Sequence, residues 1–207
     1  SLPNHEILAV GDLDGDGKDD ILMMNKGNGY LSAQVNGGTT YMGLGGINGR
    51  EVIGLADLNG DNSQDVIFKS ASGWVAAYDL ANNSYTNIGF QIGRDLVGVG
   101  DFNGDGNDDL LFQTVDSSNG GTIGYTSYLS GGGANVGVGM LGAGAVLAVG
   151  NYDGDATDDI FLLNGDDSIS VLPSGLVSQQ QAVTDLMLDE VLDFGNGTRV
   201  DDDMFIA

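Results

Sequence analysis

The sequence predicts an all-β protein built from repeated units. An aspartate-rich loop starts at residues 12, 57, 101, 151 and 193, so successive starts lie 45, 44, 50 and 42 residues apart. Short apolar runs between Gly and Asn clusters surround each loop, and the chain has only 2 prolines, which is typical of many short strands joined by turns. A period of roughly 40–50 residues suits a four-stranded propeller blade. We therefore expect one β-propeller domain of about five blades, four complete and one partial.

The predicted units share one order of elements. They cover residues 6–50, 51–94, 95–144 and 145–186, followed by a partial unit at 187–207. In the first unit we expect strands at 7–11, 21–24, 30–35 and 41–44. The acidic loop lies between the first and second strands of each unit.

The first strand of each unit alternates tiny and aliphatic residues. Gly11 and Ala9 alternate with Val10 and Leu8, and a period of two places the two kinds on opposite faces of a strand. The equivalent small residues are Ala56 and Gly54, Gly100 and Gly98, and Gly150 and Ala148. We interpret this strand as the innermost of the blade, crowded on its small face at the ring axis.

The second strand is continuously apolar in each unit. The runs are 21–24, 66–68, 110–112 and 160–163. A strand without alternation is expected to be buried on both faces, here between neighbouring blades.

Composition excludes several classes of partner. The formal net charge is −24, which opposes binding to phosphate backbones and to anionic membrane surfaces. No apolar run reaches the ~20 residues that a membrane-spanning helix needs. Only three of the 30 acidic residues are Glu (Glu6, Glu51 and Glu190), and the chain has no Cys. A bias to short Asp side chains favours metal loops over a merely solvated acidic surface.

The acidic loops have the spacing of a calcium site. Numbering each loop from 1 to 9, oxygen-bearing side chains occupy positions 1, 3, 5 and 9, with Gly where the backbone turns; Ca²⁺ prefers such hard oxygen ligands. The candidate ligands are Asp12, Asp14, Asp16 and Asp20 in loop 1, Asp57, Asn59, Asp61 and Asp65 in loop 2, Asp101, Asn103, Asp105 and Asp109 in loop 3, and Asn151, Asp153, Asp155 and Asp159 in loop 4. We expect about four Ca²⁺ ions with a structural role. The alternative is Asx-turn chemistry without metal, although such close carboxylates repel each other unless a cation lies between them.

Other calcium motifs do not match. An EF-hand requires Glu at position 12, where this chain has the apolar residues Met23, Phe68, Phe112 and Leu162. Repeat-in-toxin motifs recur every nine residues, and dockerin loops are followed by a helix. Both disagree with the spacing and the β-forming runs here.

The loops together with their flanking strands resemble the FG-GAP or VCBS-like repeats of calcium-binding β-propellers, such as those of integrin α-subunit heads. The segment 99–111 and its sister copies carry this resemblance, which spans about residues 6–172. It implies side-chain ligands at positions 1, 3, 5 and 9. It also implies a backbone carbonyl ligand at position 7, which is Lys18, Ser63, Asn107 or Thr157 in loops 1 to 4.

Two units depart from the pattern. Loop 4 begins with the neutral Asn151, so we expect a weaker site there. In the last unit Leu192 and Glu190 replace the small residues, and the segment 195–199 lacks the carboxylates of positions 3 and 5. We expect no metal in that unit, and the spacing within 178–191 also permits a short helix.

The sequence offers little material for catalysis. It contains a single His, His5, and no Cys. The sequence therefore offers no Cys nucleophile and no second His to act as the base of a nucleophilic triad. We expect a non-catalytic, secreted or cell-surface module for adhesion or recognition, with a protein or glycan ligand at the cell surface. It would belong to a larger chain or pair with another chain, without binding nucleic acid or inserting into a membrane. The alternatives are a lectin, with Trp74 and third-strand tyrosines stacking on sugars, and an accessory domain of a secreted hydrolase.

Overall fold

The protein is described by a computed structural model over residues 4–116, 122–129, 134–140 and 145–173. All regular structure within these ranges is β-strand, and the strands form four antiparallel sheets. The prediction of an all-β fold is confirmed for this part of the chain. The partial unit at 187–207 and the segment 178–191 lie outside the described residues.

Each sheet takes its strands from one predicted unit, in sequence order. Sheet 1 contains β1 (His5–Gly11), β2 (Asp20–Asn25), β3 (Tyr30–Val35) and β4 (Thr40–Gly46). Sheet 2 contains β5 (Arg50–Ala56), β6 (Asp65–Ser70), β7 (Trp74–Asp79) and β8 (Ser84–Phe90). Sheet 3 contains β9 (Arg94–Gly100), β10 (Asp109–Asp116), β11 (Thr122–Leu129) and β12 (Ala134–Met140). Sheet 4 contains β13 (Ala145–Gly150), β14 (Asp159–Leu163) and β15 (Ile169–Leu172). The four strands predicted for the first unit are confirmed.

Tight turns with left-handed backbone separate the strands. Between β3 and β4, Asn36 and Gly37 have φ of 54° and 64°, as a type I′ hairpin turn requires. Asn and Gly tolerate this conformation better than other residues. The Asn and Gly clusters in the sequence thus mark real chain reversals.

A register shift recurs at one position in the first strand of every sheet. The pairing of β1 with β2 skips between Ile7 and Ala9, and the other three sheets shift at the equivalent place. An extra residue on one strand bends the strand and increases its twist. The alternation of small and aliphatic residues next to the loop therefore begins after a bulge.

The sheets pack against one another in sequence order, each with its own core. Between sheets 1 and 2, Leu22 and Leu31 meet Val66 and Phe68. Between sheets 2 and 3, Ile67 meets Leu110 and Phe112, and between sheets 3 and 4, Leu111 meets Ile160.

The two middle second strands, β6 and β10, bury both of their faces. In β6, Val66 belongs to the core with sheet 1 while its neighbour Ile67 belongs to the core with sheet 3. In β10, Leu110 and Leu111 divide in the same way between the cores with sheets 2 and 4. The interpretation of the continuous apolar runs is confirmed for these two strands.

The first strands lie side by side, and their small residues make room for the next unit. A Cβ placed on Gly98 would lie 2.7 Å from Val149 Cγ2, and one on Gly54 would lie 2.9 Å from Leu96 Cδ2. A Cβ on Gly11 would meet the side chain of Gln64 first and would lie 3.0 Å from Leu55 Cδ1. The crowding predicted for this face thus comes from the aliphatic face of the following first strand.

Candidate metal centre

The residue at position 1 organises the backbone of each acidic loop. In loop 1, Asp12 Oδ1 accepts hydrogen bonds from the amides of Gly15 (2.8 Å) and Asp16 (3.2 Å), and Oδ2 accepts one from Gly17 (2.8 Å). Asp57 and Asp101 make the same three bonds in loops 2 and 3. The carboxylate at position 1 therefore holds the loop backbone in a tight turn around its own oxygens.

Positions 3 and 5 continue this pattern in all four loops. The side-chain oxygen at position 3 accepts from the amide at position 5, at 3.2, 3.0, 2.8 and 3.0 Å in loops 1 to 4. The carboxylate at position 5 accepts from the amide at position 7, at 3.0, 2.9, 2.9 and 2.6 Å. The repeated bonds aim oxygen atoms towards the inside of a tight loop.

Position 9 is the first residue of the second strand and is buried in every unit. The residues are Asp20, Asp65, Asp109 and Asp159. Each uses Oδ2 to accept a hydrogen bond from the amide at position 2, which ties the loop to the strand. In loops 1 to 3, position 2 carries a buried apolar side chain, Leu13, Leu58 or Phe102, that anchors the loop in the core.

Two of these buried carboxylates have an oxygen without a partner. Oδ1 of Asp20 and Oδ1 of Asp65 are fully buried and accept no hydrogen bond. A buried charged oxygen left unpaired is costly, so a ligand at these atoms would remove a large desolvation cost.

Loop 1 gathers its ligands closely enough for one ion. Among the described residues, carboxylate oxygens of Asp12, Asp14 and Asp20 lie within 4.8 Å of one another. The donors are all hard oxygens, as Ca²⁺ prefers. Together with the unpaired Asp20 Oδ1, this donor set fits the divalent cation that the sequence predicts.

Burial also shifts the pKa of two position 9 carboxyls, those of Asp20 and Asp65. Loss of solvent raises the pKa of Asp20, and the charges of Asp14, Asp16 and Asp12 add to the rise. Burial raises the pKa of Asp65 to about 7, and Asp79, Asp61 and Asp57 act in the same direction. Both shifts have the origin expected where carboxylates crowd without a cation.

Side chains at position 7 contact the carboxylate at position 5. Lys18 Nζ lies 2.7 Å from Asp16 Oδ2, and this hydrogen bond lowers the pKa of Asp16. The hydroxyls of Ser63 and Thr157 donate to Asp61 and Asp155 at 2.6 and 2.8 Å. The ligand role of the position 7 carbonyls, Asn107 included, stays a prediction.

Loop 4 differs in the way its sequence suggests. Asn151 Oδ1 accepts from Gly154 N at 2.7 Å, but its amide nitrogen donates to the carbonyl of Asp155. Tyr152 at position 2 is 50% exposed, unlike its buried counterparts, and stacks edge-on against Phe161. This loop has one carboxylate fewer than loop 1 and a looser anchor.

Sequence reasoning missed position 8, where the loops join neighbouring units. The amide of Asp108 donates to Asp57 O at 2.7 Å, and Asp108 Oδ2 accepts from Asp57 N at 2.8 Å. Asp158 makes the same pair of bonds to Asp101, at 2.7 and 3.0 Å. We call this pair of bonds the position 8 clasp. Its only sequence signal is the recurrence of Asp at position 8 in loops 1, 3 and 4.

A second missed residue is Asp79, at the end of β7. It is buried, and its Oδ2 accepts a hydrogen bond from Asn59 Nδ2 at 3.0 Å. The counterparts of Asp79, judged from the strand registers, are Val35, Leu129 and Pro173. An acid at this position belongs to the second unit, so no repeat pattern could have revealed it.

The residues considered for sugar binding and catalysis lie apart from the loops. Trp74 begins β7 and packs edge-on against Phe90, with ring centroids 4.7 Å apart. His5 begins β1 and lines a cavity with Ile7, Ile21 and Met23.

One comparison with known families agrees with the repeat pattern. Residues 12–68 match the model of the FG-GAP-like repeat family. No curated protein matches the sequence. Among solved structures, Bacillus licheniformis rhamnogalacturonan lyase PL11 is similar, with a TM-score of 0.48 and 16% identity. That similarity covers 76% of this chain and 39% of the lyase chain. Within the described ranges, no helix is long and apolar enough to cross a membrane.

Proposed function

Because residues 12–68 are an FG-GAP-like repeat, we propose that the protein is a calcium-stabilised β-propeller module of a secreted or cell-surface protein. Its role is non-catalytic adhesion or recognition. The ordered packing of the four sheets supports a propeller, because each sheet packs against the next and the four first strands lie side by side.

The observation that carries the calcium proposal is the pair of unpaired oxygens, Asp20 Oδ1 and Asp65 Oδ1. In each carboxylate the other oxygen already accepts a hydrogen bond from a loop amide. The unpaired oxygen is therefore available to bind an ion. The crowded charges favour a dication, since the loops hold a large share of a net charge of −24.

Calcium in such a loop would act on folding. Positions 1, 3 and 5 belong to the loop, and position 9 belongs to the second strand, so one ion links the two strands that flank it. Binding energy gained only in the folded state becomes folding energy. The chain's own residues hold the loop in place, through the amide bonds to Asp12 and the buried side chain of Leu13.

The test is thermal unfolding followed by circular dichroism, with excess Ca²⁺ and with EDTA. We expect the Tm to fall by 10 °C or more on chelation, an order of magnitude that follows from several kcal/mol of linked binding energy. Isothermal titration should give about four sites at millimolar or lower Kd. The same Tm in Ca²⁺ and EDTA, together with no heat of binding, would refute the calcium role.

Recognition at the cell surface has its own test. Fluorescently labelled protein is added to cells in Ca²⁺ and in EDTA, and bound protein is measured by flow cytometry. We expect binding that depends on calcium. Pretreating the cells with protease or with glycosidases separates a protein ligand from a glycan ligand, and absence of binding to any tested cell surface would count against an adhesion role.

A lectin is the second candidate, favoured by the exposed aromatic pair Trp74 and Phe90. These side chains are 36% and 60% exposed, and the neighbouring Ile92 is 71% exposed. Flat aromatic faces bind the apolar side of pyranose rings through burial of apolar area. A glycan array in calcium tests this, with Trp74→Ala as the variant. A hit that quenches the fluorescence of Trp74 and is lost in the variant would support the lectin over protein recognition.

A further inference from the structure

Loops 2 and 3 form a matched pair within one molecule. Both carry Asp at positions 1, 5 and 9 and Asn at position 3. Their internal bonds also match, since Asn59 and Asn103 each accept from the amide at position 5 and each donate to the carboxylate at position 5, at 3.1 Å. Any difference in metal binding between them must arise outside the four side-chain ligand positions 1, 3, 5 and 9.

The difference is Asp79. Its Oδ2 accepts hydrogen bonds from Asn59 Nδ2 at 3.0 Å and from Asn82 Nδ2 at 2.9 Å, and its Oδ1 accepts from the amide of Asn82 at 2.7 Å. Asp79 is 4% exposed. Leu129 stands at the equivalent position of the third unit and has no oxygen to accept such a bond.

Asp79 gives the Asn59 amide a second hydrogen-bond acceptor, which lies outside the loop. An Asn side chain can bind a metal only through Oδ1, and its two ends are nearly equal in shape. Within the loop, Asn59 Nδ2 donates to Asp61 Oδ2 at 3.1 Å and Oδ1 accepts from the amide of Asp61 at 3.0 Å, as Asn103 does with Asp105. Asp79 adds a further bond to Nδ2 from β7, and this bond favours the same orientation, with Oδ1 towards the loop.

Asp79 also supplies the second unit with a carboxylate that loop 2 lacks at position 3, where it has Asn59. Loop 1 has Asp14 at position 3 and Val35 at the strand position, whereas the second unit has Asn59 at position 3 and Asp79 at the strand position. Over positions 1, 3, 5 and 9 and the strand position, each arrangement therefore has four carboxylates, while loop 3 with Leu129 has three. The number of charges around a calcium site is one determinant of its affinity.

We propose that Asp79 is a positioning residue that makes loop 2 a tighter calcium site than loop 3. It acts through the additional hydrogen bond to Asn59 and through its charge. The unpaired, buried Asp65 Oδ1 gives independent support for a cation in this loop. The inference rests on the calcium role proposed above.

The experiment measures calcium binding at each loop separately within the same protein. Hydrogen exchange with mass spectrometry measures protection of peptides covering 12–20, 57–65 and 101–109 over a series of free Ca²⁺ concentrations. In the wild type, the midpoint for 57–65 is expected about tenfold lower than that for 101–109, the size typical of outer-shell contacts to metal ligands. The Asp79→Asn variant keeps an oxygen for the amide of Asn82 and should raise only the 57–65 midpoint, by about tenfold.

A double variant tests the charge directly. Asn59→Asp combined with Asp79→Asn moves the carboxylate to position 3, as in loop 1, and should return the 57–65 midpoint to within about threefold of the wild type. A merely structural role for Asp79 would not be rescued by a change at Asn59. If Asp79→Asn does not fold without calcium, the double variant carries the test alone.

The possible failures are distinguishable. A 57–65 midpoint that is unchanged in Asp79→Asn, or one that stays tenfold weaker in the double variant, would overturn the role of Asp79 while the other loops still respond to calcium. If no loop of the wild type gains protection with Ca²⁺, the calcium role itself fails, and the role of Asp79 with it.

Discussion

Asp108 holds the backbone of Asp57 at two points, although the two residues are 51 positions apart. Its amide donates to Asp57 O, and its carboxylate accepts from Asp57 N. Asp57 is also position 1 of loop 2, whose side chain arranges that loop. The third unit thus fixes the residue on which the second unit's candidate metal site depends.

Loss of the position 8 clasp should weaken the contact between units 2 and 3. Asp108→Ala removes the acceptor of the Asp57 amide, and an unsatisfied, partly buried donor costs about 1–3 kcal/mol. Urea unfolding followed by circular dichroism measures the free energy of unfolding. Asp19→Ala is the matched control, because Asp19 is position 8 of loop 1 but is exposed, and it should change stability by less than about 0.5 kcal/mol. Equal losses in the two variants would contradict the role of the clasp.

The glycines facing the next unit should not tolerate a methyl group. In Gly98→Ala the new Cβ would lie 2.7 Å from Val149 Cγ2, and such overpacking typically costs about 1–3 kcal/mol. Gly150, on the same small face of the fourth unit's first strand, is the control: in Gly150→Ala no atom of the described residues lies within 4 Å of the new Cβ, so the effect should be small or stabilising, by up to about 1 kcal/mol. Thermal unfolding of the pair checks this, and a Gly150→Ala variant as unstable as Gly98→Ala would show that space is not the cause.

Replacing a buried loop carboxylate should have opposite effects with and without calcium. Asp20→Asn keeps an oxygen for the amide of Leu13 but removes a buried charge that has no partner at Oδ1. In EDTA we expect a Tm raised by a few degrees, because the repulsion from Asp12 and Asp14 falls. In Ca²⁺ we expect a Tm below that of the wild type, because a charged ligand is lost. A variant that lowers the Tm equally in both conditions would indicate a purely structural role for Asp20.

The raised pKa of Asp65 predicts a pH dependence of the metal-free protein. Burial raises this pKa to about 7, whereas an unfolded Asp titrates near ~3.9. Between about pH 4 and about pH 7 the folded state binds a proton that the unfolded state has released, so stability falls as the pH rises. The maximal slope is about 1.4 kcal/mol per pH unit.

The measurement compares wild type with Asp65→Asn in EDTA, because the difference isolates one group from the other titrating acids. The wild type should lose stability relative to the variant as the pH rises from about 5 to about 8. In excess Ca²⁺ the trend should disappear in this range, since the ion keeps the folded-state carboxylate ionised, as it is in the unfolded chain. A constant difference across this range in EDTA would mean that Asp65 titrates normally.

The strands and loops were predictable because they depend on neighbours in the sequence. The alternation of Gly11 and Ala9 with Val10 and Leu8 is local, and so is the order of oxygen-bearing residues from Asp12 to Asp20. Repetition made both signals stronger, since every copy repeats the hydrogen bonds at positions 3, 5 and 9. Burial on both faces was predictable for β6 and β10 from their continuous apolar runs, as Val66 and Ile67 show.

The contacts between units were not predictable, because they join residues far apart in sequence. Nothing near Asp108 indicates that its carboxylate accepts from Asp57, and nothing near Asp79 indicates that it holds the amide of Asn59. Asp79 occurs in one unit alone, so comparing repeats offered no signal for it. The sequence by itself determined the strands, the turns and the acidic loops, since local periodicity and turn chemistry dictate them. Only the tertiary structure decided which unit covers each glycine face and which outside group supports each loop, because those depend on how the sheets pack in space.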